Sequence, residues 1–267
     1  MGKVSKHAVK RRDFIKILAG VAASTAMAWS SPTPIHLLGK SPGVVTQERY
    51  QWVMVVDQAK CIGCNFCTFA CKAVNDTPPD IYWNLVFTEK SVGTKMIYIS
   101  KPCMQCEDPP CVDVCPAHAT YKRDVDGIVV IDYDKCVGCR YCMAACPYGA
   151  RYFNWKKPTE TNLYIPKWGT PEVPRRSRGV VEKCTFCTQR MDKAIQNNLT
   201  PGVDPEVTPA CVNACPTGAR NFGNLRSAVG HPNFGLIPTR VIRTRGIQLL
   251  KELGTTPRVY YLPPMVV

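Results

Sequence analysis

The segment Lys135–Pro147, K-C-V-G-C-R-Y-C-M-A-A-C-P, sets Cys136, Cys139, Cys142 and Cys146 at gaps of two, two and three residues, with Pro147 directly after the last. Few arrangements of four thiols restrict a chain so narrowly. Gaps of two let a tight loop present three sulfurs to one 4Fe–4S cubane, while the fourth points away along the start of a helix and reaches a second cluster. One such run calls for a partner run elsewhere. This chain holds four runs, so it reads as an electron wire built from iron–sulfur clusters.

The first run is Cys61, Cys64, Cys67 and Cys71, with the same spacing but Lys72 where a proline is expected. In the second, Cys103, Cys106, Cys111 and Cys115 precede Pro116, and Glu107 to Pro110 widen the middle gap. The fourth is split: Cys184 and Cys187, then 23 residues, then Cys211 and Cys215 before Pro216. All 16 cysteines fall into these four groups of four, with none left over. Structural zinc also takes four thiolates, but from two separated pairs, and three cysteines in a row at gaps of two suit it poorly. Disulfides need different pairings inside each crowded run. With 23 prolines in 267 residues, the chain suits small modules organised by metal more than one large apolar interior.

The formal charge of +14 first suggests nucleic acid or an anionic membrane. Residues 1–28 alone contribute +5, which leaves +9 for the rest. A cluster core held by four thiolates carries a net charge of roughly −2, so four bring roughly −8 and the loaded protein lies near neutral. A nucleic-acid partner is not expected.

Residues 1–28 combine a basic start, the pair Arg11 and Arg12 followed by Phe14, Ile15 and Lys16, a short apolar run and Ala26-Met27-Ala28. This reads as a twin-arginine export signal, cleaved near Ala28–Trp29, and that route carries proteins already folded around their cofactors. The apolar run is short for a bilayer span, and no C-terminal run is long enough for one. Residues 29–49 read as a linker. Tyr50–Val56, Tyr82–Thr88, Lys95–Ser100 and Val259–Leu262 are β-prone. The stretches A-T-Y-K and G-I-V-V-I-D around Arg123–Asp126 predict a hairpin. Thr188–Asn198 has helical character. A second short helix is predicted over Arg245–Leu253, with apolar Ile247, Leu250 and Leu253 and a stop at Gly254. Trp155–Val180 is a long proline-containing loop, and such loops are usually functional or partner-bound.

The chain repeats internally. Asp57–Cys71 parallels Asp132–Cys146, and P-P-C-V-D-V-C-P-A-H-A-T-Y parallels T-P-A-C-V-N-A-C-P-T-G-A-R. Each two-cluster unit needs two runs that exchange fourth ligands. By spacing alone, the first run pairs with the second and the third with the fourth, or the pairs are nested.

From Tyr50 to Gly223 these four motifs resemble the four-cluster iron–sulfur subunits of the molybdopterin oxidoreductase family. That family includes subunits of dimethyl sulfoxide, polysulfide, thiosulfate and tetrathionate reductases. The resemblance implies nested pairs, in which Cys61, Cys64 and Cys67 share a cluster with Cys215, and Cys71 joins Cys184, Cys187 and Cys211. It further places Cys103, Cys106 and Cys111 with Cys146, and Cys115 with Cys136, Cys139 and Cys142. Some relatives lack one cysteine of the third run and carry a 3Fe–4S cluster; here all are present, so four 4Fe–4S clusters are expected. The implied fold is α+β, with two ferredoxin-like two-cluster units, one nested in the other. The outer unit takes residues 50–94 and 180–225, the inner unit 95–155, an interface loop 156–179 and a C-terminal tail 226–267.

Gly63 and Gly138 are expected to let their loops turn around a cluster. Lys60, Lys135 and Lys183 precede the first cysteine of three runs; each is either a solvated lysine or a cation that raises a cluster potential. His118 reads as a surface residue. Tyr148, Tyr152, Phe153 and Trp155 are expected to pack around the clusters. No nucleophile–base constellation stands out. The expected role is electron transfer, without substrate chemistry of its own, between a molybdopterin-containing catalytic subunit and a multi-span, quinone-interacting membrane subunit in the periplasm. The alternative is the same module in a membrane-linked hydrogenase or formate dehydrogenase.

Overall fold

The structure is a computed structural model that describes residues 50–92, 95–157, 159–226 and 239–264. The expected export signal at 1–28 and the expected linker at 29–49 lie outside the described residues. Among the described residues, no helix is long and apolar enough to cross a membrane.

Three strands carry the framework: β1 (Trp52–Asp57), β8 (Arg220–Asn224) and β9 (Val259–Leu262). β1 is central, antiparallel to β8 with Val53 opposite Gly223, and parallel to β9 with Met54 opposite Val259. The sequence W-V-M-V-V is apolar without interruption because this strand is covered on both faces. Trp52, Met54 and Val56 face one cluster of side chains with Phe222 and Tyr261, whereas Val53 and Val55 pack with Ile242 and Leu262 on the other side. β9 comes from the expected tail, so the far end of the chain completes the sheet that the first β-prone segment begins.

The remaining strands form two-stranded ribbons. β2 (Leu85–Val92) pairs with β3 (Lys95–Lys101) with an irregularity between Thr88 and Lys90. β4 (Thr120–Lys122) and β5 (Val129–Ile131) make the predicted hairpin; its turn is held by Asp126 Oδ1, which accepts the Ile128 N–H at 3.1 Å. β6 (Tyr152–Phe153) meets β7 (Val181–Glu182).

The helices are short for a reason visible in the sequence. α2 (Pro110–Asp113), α3 (Tyr141–Ala144) and α5 (Ala210–Asn213) all end before a cysteine followed by proline. A residue before proline is pushed out of the helical region, so the chain turns at Cys115, Cys146 and Cys215. In α1 (Phe66–Val74) Lys72 stands in place of proline, and the helix runs on past Cys71. α4 (Thr188–Asn197) matches its predicted range to within one residue.

The helix predicted over Arg245–Leu253 is not formed. α6 (Thr239–Arg245) ends where that prediction begins. Ile247 instead exchanges both backbone hydrogen bonds with Tyr261, each 2.8 Å. A single 3₁₀ turn, Lys251–Leu253, follows and closes on Gly254 at φ 70°. The β9 edge offered Ile247 a partner, and sheet pairing overrode the local periodicity.

Residues 159–179 cross the outer face of α1. Phe69 stacks on Tyr164 at 5.1 Å, Trp168 contacts Phe66 at 4.6 Å, and the Glu172 N–H donates to Val74 O at 2.9 Å. Their inner side is therefore occupied by this chain.

Tyr261 is fully buried and donates its hydroxyl to Ser100 O at 3.1 Å, which ties β9 to β3. Tyr261→Ala is expected to cost about 3–5 kcal/mol and to lower the melting temperature of the loaded protein by roughly 10 °C. Thermal unfolding followed by circular dichroism checks this.

Candidate metal centre

All 16 cysteines carry free thiols, and they gather around four centres drawn from distant segments. Cys61, Cys64, Cys67 and Cys215 line one space, here site I. The buried thiols of Cys71, Cys184, Cys187 and Cys211 lie within electrostatic reach of one another and form site II. Cys103, Cys106, Cys111 and Cys146 line site III, and Cys115, Cys136, Cys139 and Cys142 line site IV. Sites I, III and IV each enclose about 310–320 Å³, including the part open to solvent.

A shared backbone device builds these walls. The residue just before the second cysteine of each run is left-handed: Gly63 at φ 72°, Gln105 at 47°, Gly138 at 69° and Phe186 at 56°. That kink turns consecutive sulfurs inward. At Gly138 a Cβ would also stand 2.1 Å from Gly179 O, so only glycine fits there. After the fourth cysteine of three runs, His118, Gly149 and Gly218 take the same left-handed conformation. His118 is exposed, and its place in the fold is that turn.

The thiols surround space without converging on a point. Among the described residues, no three His, Cys, Asp or Glu side chains meet closely enough to hold a lone metal ion. A tetrahedral zinc needs such convergence at about 2.3 Å per sulfur. A cubane spreads four irons over its corners and suits four thiols set apart around a cavity.

Hydrogen-bond donors point at the sulfurs. Asn84 Nδ2 donates to Cys67 Sγ at 3.3 Å, and Asn75 Nδ2 reaches Cys71 Sγ at 3.5 Å and Cys187 Sγ at 3.8 Å. The backbone N–H groups of Thr120 and Phe186 donate to Cys115 and Cys184, at 3.4 and 3.5 Å. Such bonds favour thiolate and the more reduced cluster. Without metal, burial holds the inner thiols protonated: it pushes Cys184 and Cys106 up to about 12 and Cys187 up to about 11. At Cys215 burial acts the same way, but the Thr217 hydroxyl and backbone N–H groups outweigh it, and the pKa falls below its ordinary value. Loading of the inner sites therefore releases protons.

Buried cations answer the charge of the thiolates. Lys72, only 1% exposed, turns its ammonium to Pro78 O (2.7 Å), Pro79 O (3.1 Å) and Ile81 O (2.8 Å). Burial lowers its pKa to about 8. Arg220 and Arg151 are each 3% exposed, and Lys183 is fully buried. Lys60 and Lys135, by contrast, are exposed beside Asp57 and Asp132, so only one of the three lysines that precede a run is an interior charge. Tyr148 is buried against the centres; Tyr152 and Phe153 are half-buried, and Trp155 is exposed. The runs gave no sign of Arg151, Arg220, Asn75, Asn84, Ser100 or Gln105 as parts of the sites. One signal was present for the two arginines: P-Y-G-A-R at 147–151 repeats as P-T-G-A-R at 216–220.

Asn75 is held beside site II by Arg176, which donates to Asn75 O at 2.5 Å. Arg176 also pairs with Glu182 at 2.6 Å, and Trp83 Nε1 donates to the same carboxylate at 3.1 Å.

Small helices, short ribbons and four cages of thiols define a multi-cluster iron–sulfur protein of the electron-transfer class. A 4Fe-4S dicluster domain profile matches residues 94–162, and a second of the same description matches 135–219. A candidate iron–sulfur subunit of dimethyl sulfoxide reductase from Halobacterium salinarum is 44% identical over 225 residues, covering 78% of both chains. The iron–sulfur cluster-binding subunit of menaquinone reductase from Nitratidesulfovibrio vulgaris is 41% identical over 234 residues, 80% of this chain and 89% of that one. A selenate reductase subunit from Mesobacillus selenatarsenatis is 39% identical over 228 residues, 79% and 72% of the two. The chain belongs to this family, the iron–sulfur electron-transfer subunits of dimethyl sulfoxide reductase-type molybdopterin oxidoreductases, and it carries four 4Fe–4S clusters.

Removing one member of a buried ion pair strands the other charge. Arg176→Met leaves Glu182 buried and unpaired, at an expected cost of about 3–5 kcal/mol. It also frees the Asn75 turn, so site II is expected to lose iron first on mild heating. Iron release followed alongside the melting curve checks both.

Proposed function

We propose that this chain passes electrons one at a time along sites I, II, III and IV, between a molybdopterin catalytic subunit and a quinone-linked membrane subunit. The supporting observation is the order of the cages. Arg220 reaches Cys211 Sγ of site II at 3.4 Å and, through Asn84, Cys67 Sγ of site I; Lys183 spans Cys184 O of site II and Val129 O beside site III; Arg151 reaches Cys111 Sγ of site III at 2.9 Å and Thr120, which lines site IV, at 3.1 Å. Each cage thus has a neighbour in the order, and the two end cages, I and IV, lie beneath exposed Ile62 and Val137. An order with two half-exposed ends suits a conductor between two partners better than a store of charge.

In this reading the first and fourth runs exchange fourth ligands through Cys71 and Cys215. The second and third do so through Cys115 and Cys146, nested inside the first pair. The clusters supply the one-electron chemistry. The protein's own part is to hold them at fixed separation, exclude water from site II and tune each potential through hydrogen bonds and charge. Residues 1–28 would export the folded, loaded chain to the periplasm, where attachment to the membrane comes through the partner.

The ligand exchange has a direct test. Cys115→Ser and Cys136→Ser are expected to remove or alter the same EPR signal, while Cys146→Ser alters a different one. The wild-type chain is expected to hold about sixteen iron atoms. If Cys115 and Cys136 affect different clusters, the nested exchange is wrong. Anaerobic co-purification through a C-terminal tag tests the partners: a molybdopterin subunit with a multi-span membrane protein is expected, and a nickel hydrogenase subunit instead would overturn that assignment.

A further inference from the structure

We propose that three buried cations, Arg220, Lys183 and Arg151, stand one at each junction of the four-cluster chain and raise the reduction potentials of the two clusters they separate. The inference rests on the cluster assignment above.

The junction between sites I and II is built around Arg220. Its Nη2 donates to Cys211 Sγ of site II at 3.4 Å. Its Nη1 donates to Asn84 Oδ1 at 2.9 Å and to Ser100 Oγ. Both of those side chains reach Cys67 Sγ of site I, Asn84 at 3.3 Å and Ser100 at 3.6 Å. One guanidinium is therefore wired to a sulfur on either side, directly in one direction and through two polar side chains in the other.

Arg151 repeats the arrangement between sites III and IV. Its Nη2 donates to Cys111 Sγ of site III at 2.9 Å, and its Nη1 donates to Thr120 Oγ1 at 3.1 Å. The Thr120 backbone N–H in turn donates to Cys115 Sγ of site IV at 3.4 Å. Arg151 and Arg220 occupy the same place in the repeat, five residues after Cys146 and Cys215.

Lys183 fills the junction between sites II and III. Its Nζ donates to Cys184 O of site II at 2.9 Å and to Val129 O, where Val129 lines site III. Gln105 braces the same two residues: its Nε2 donates to Cys184 O at 2.7 Å, and its Oε1 accepts the Val129 N–H at 2.9 Å.

Reduction takes a thiolate-bound cluster from a net charge of roughly −2 to roughly −3. A fixed cation in a low-dielectric interior favours the more negative state, and water screens it little there. Each cation touches two cages, so its removal is felt by two clusters and spares the other two.

The test is redox titration by EPR of the complete, loaded protein, comparing wild type with Arg220→Gln, Arg151→Gln and Lys183→Gln. Arg220→Gln is expected to lower two of the four potentials, and Arg151→Gln the other two. Lys183→Gln is expected to lower one member of each pair. The expected size is about a tenfold change in the oxidised-to-reduced ratio at fixed potential, ~59 mV for a one-electron couple. Arg220→Lys and Arg151→Lys restore most of the shift, which a purely structural role would not produce. Unchanged potentials, shifts confined to single clusters, overlapping pairs for the two arginines, or loss of iron from both arginine variants would each overturn the proposal. Wild-type protein without four titrating clusters would instead overturn the cluster assignment beneath it.

Discussion

Sulfur from two distant segments must meet at each of the four cages, and the rest of the structure follows from that requirement. A cage on a single segment would need only a loop. Here Cys71 joins residues more than a hundred positions away, and Cys61 joins Cys215. The thiolate–iron bond in such a protein is part of its folding free energy, because the sites do not exist in the unfolded chain. That explains how a chain with very short helices and ribbons of two strands holds one fold. The sheet of β8, β1 and β9 frames the metal-organised region without having to be its main source of stability.

Burying many thiolates creates an electrostatic problem that the fold answers in place. The inner thiols resist ionisation until metal arrives, and the buried side chains of Arg151, Arg220, Lys72 and Lys183 lie among the cages. Their formal charge disappears into a composition that looks basic without the clusters. The large positive balance of the sequence is thus partly a counterweight to clusters, and only partly a surface property. Metal charge has to be counted before such a balance is read as a sign of nucleic acid or membrane.

Cysteine spacing made much of the site legible. The left-handed turns at Gly63 and Gly138, the helix stops ahead of Pro116, Pro147 and Pro216, and the continued helix at Lys72 all follow from local rules, whereas the same turn at Gln105 and Phe186 does not, because neither side chain favours positive φ. The hairpin around Arg123–Asp126 and the helix at Thr188 were legible for the same reason: turn chemistry and periodicity act over a few residues. The Arg245–Leu253 helix was not. Ile247 pairs with Tyr261, and a backbone partner supplied by a distant strand does not appear in a local pattern. The long loop at 156–179 was expected to serve an interface with a partner, and its spacing gave no sign that Tyr164, Trp168 and Arg176 hold it against α1 and the turn after it.

The sequence by itself determined the cofactor class, the number of thiols and the tight turns at Gly63 and Gly138, because these depend on residues within a few positions of one another. It left open which runs pair, since spacing serves a sequential and a nested exchange equally well. Tertiary structure decided which thiols face one another. It also decided which cations are interior: Lys183 is enclosed while Lys60 and Lys135, at the same place in their runs, lie in solvent. Burial is set by what the rest of the chain packs over a side chain, and no local spacing encodes that.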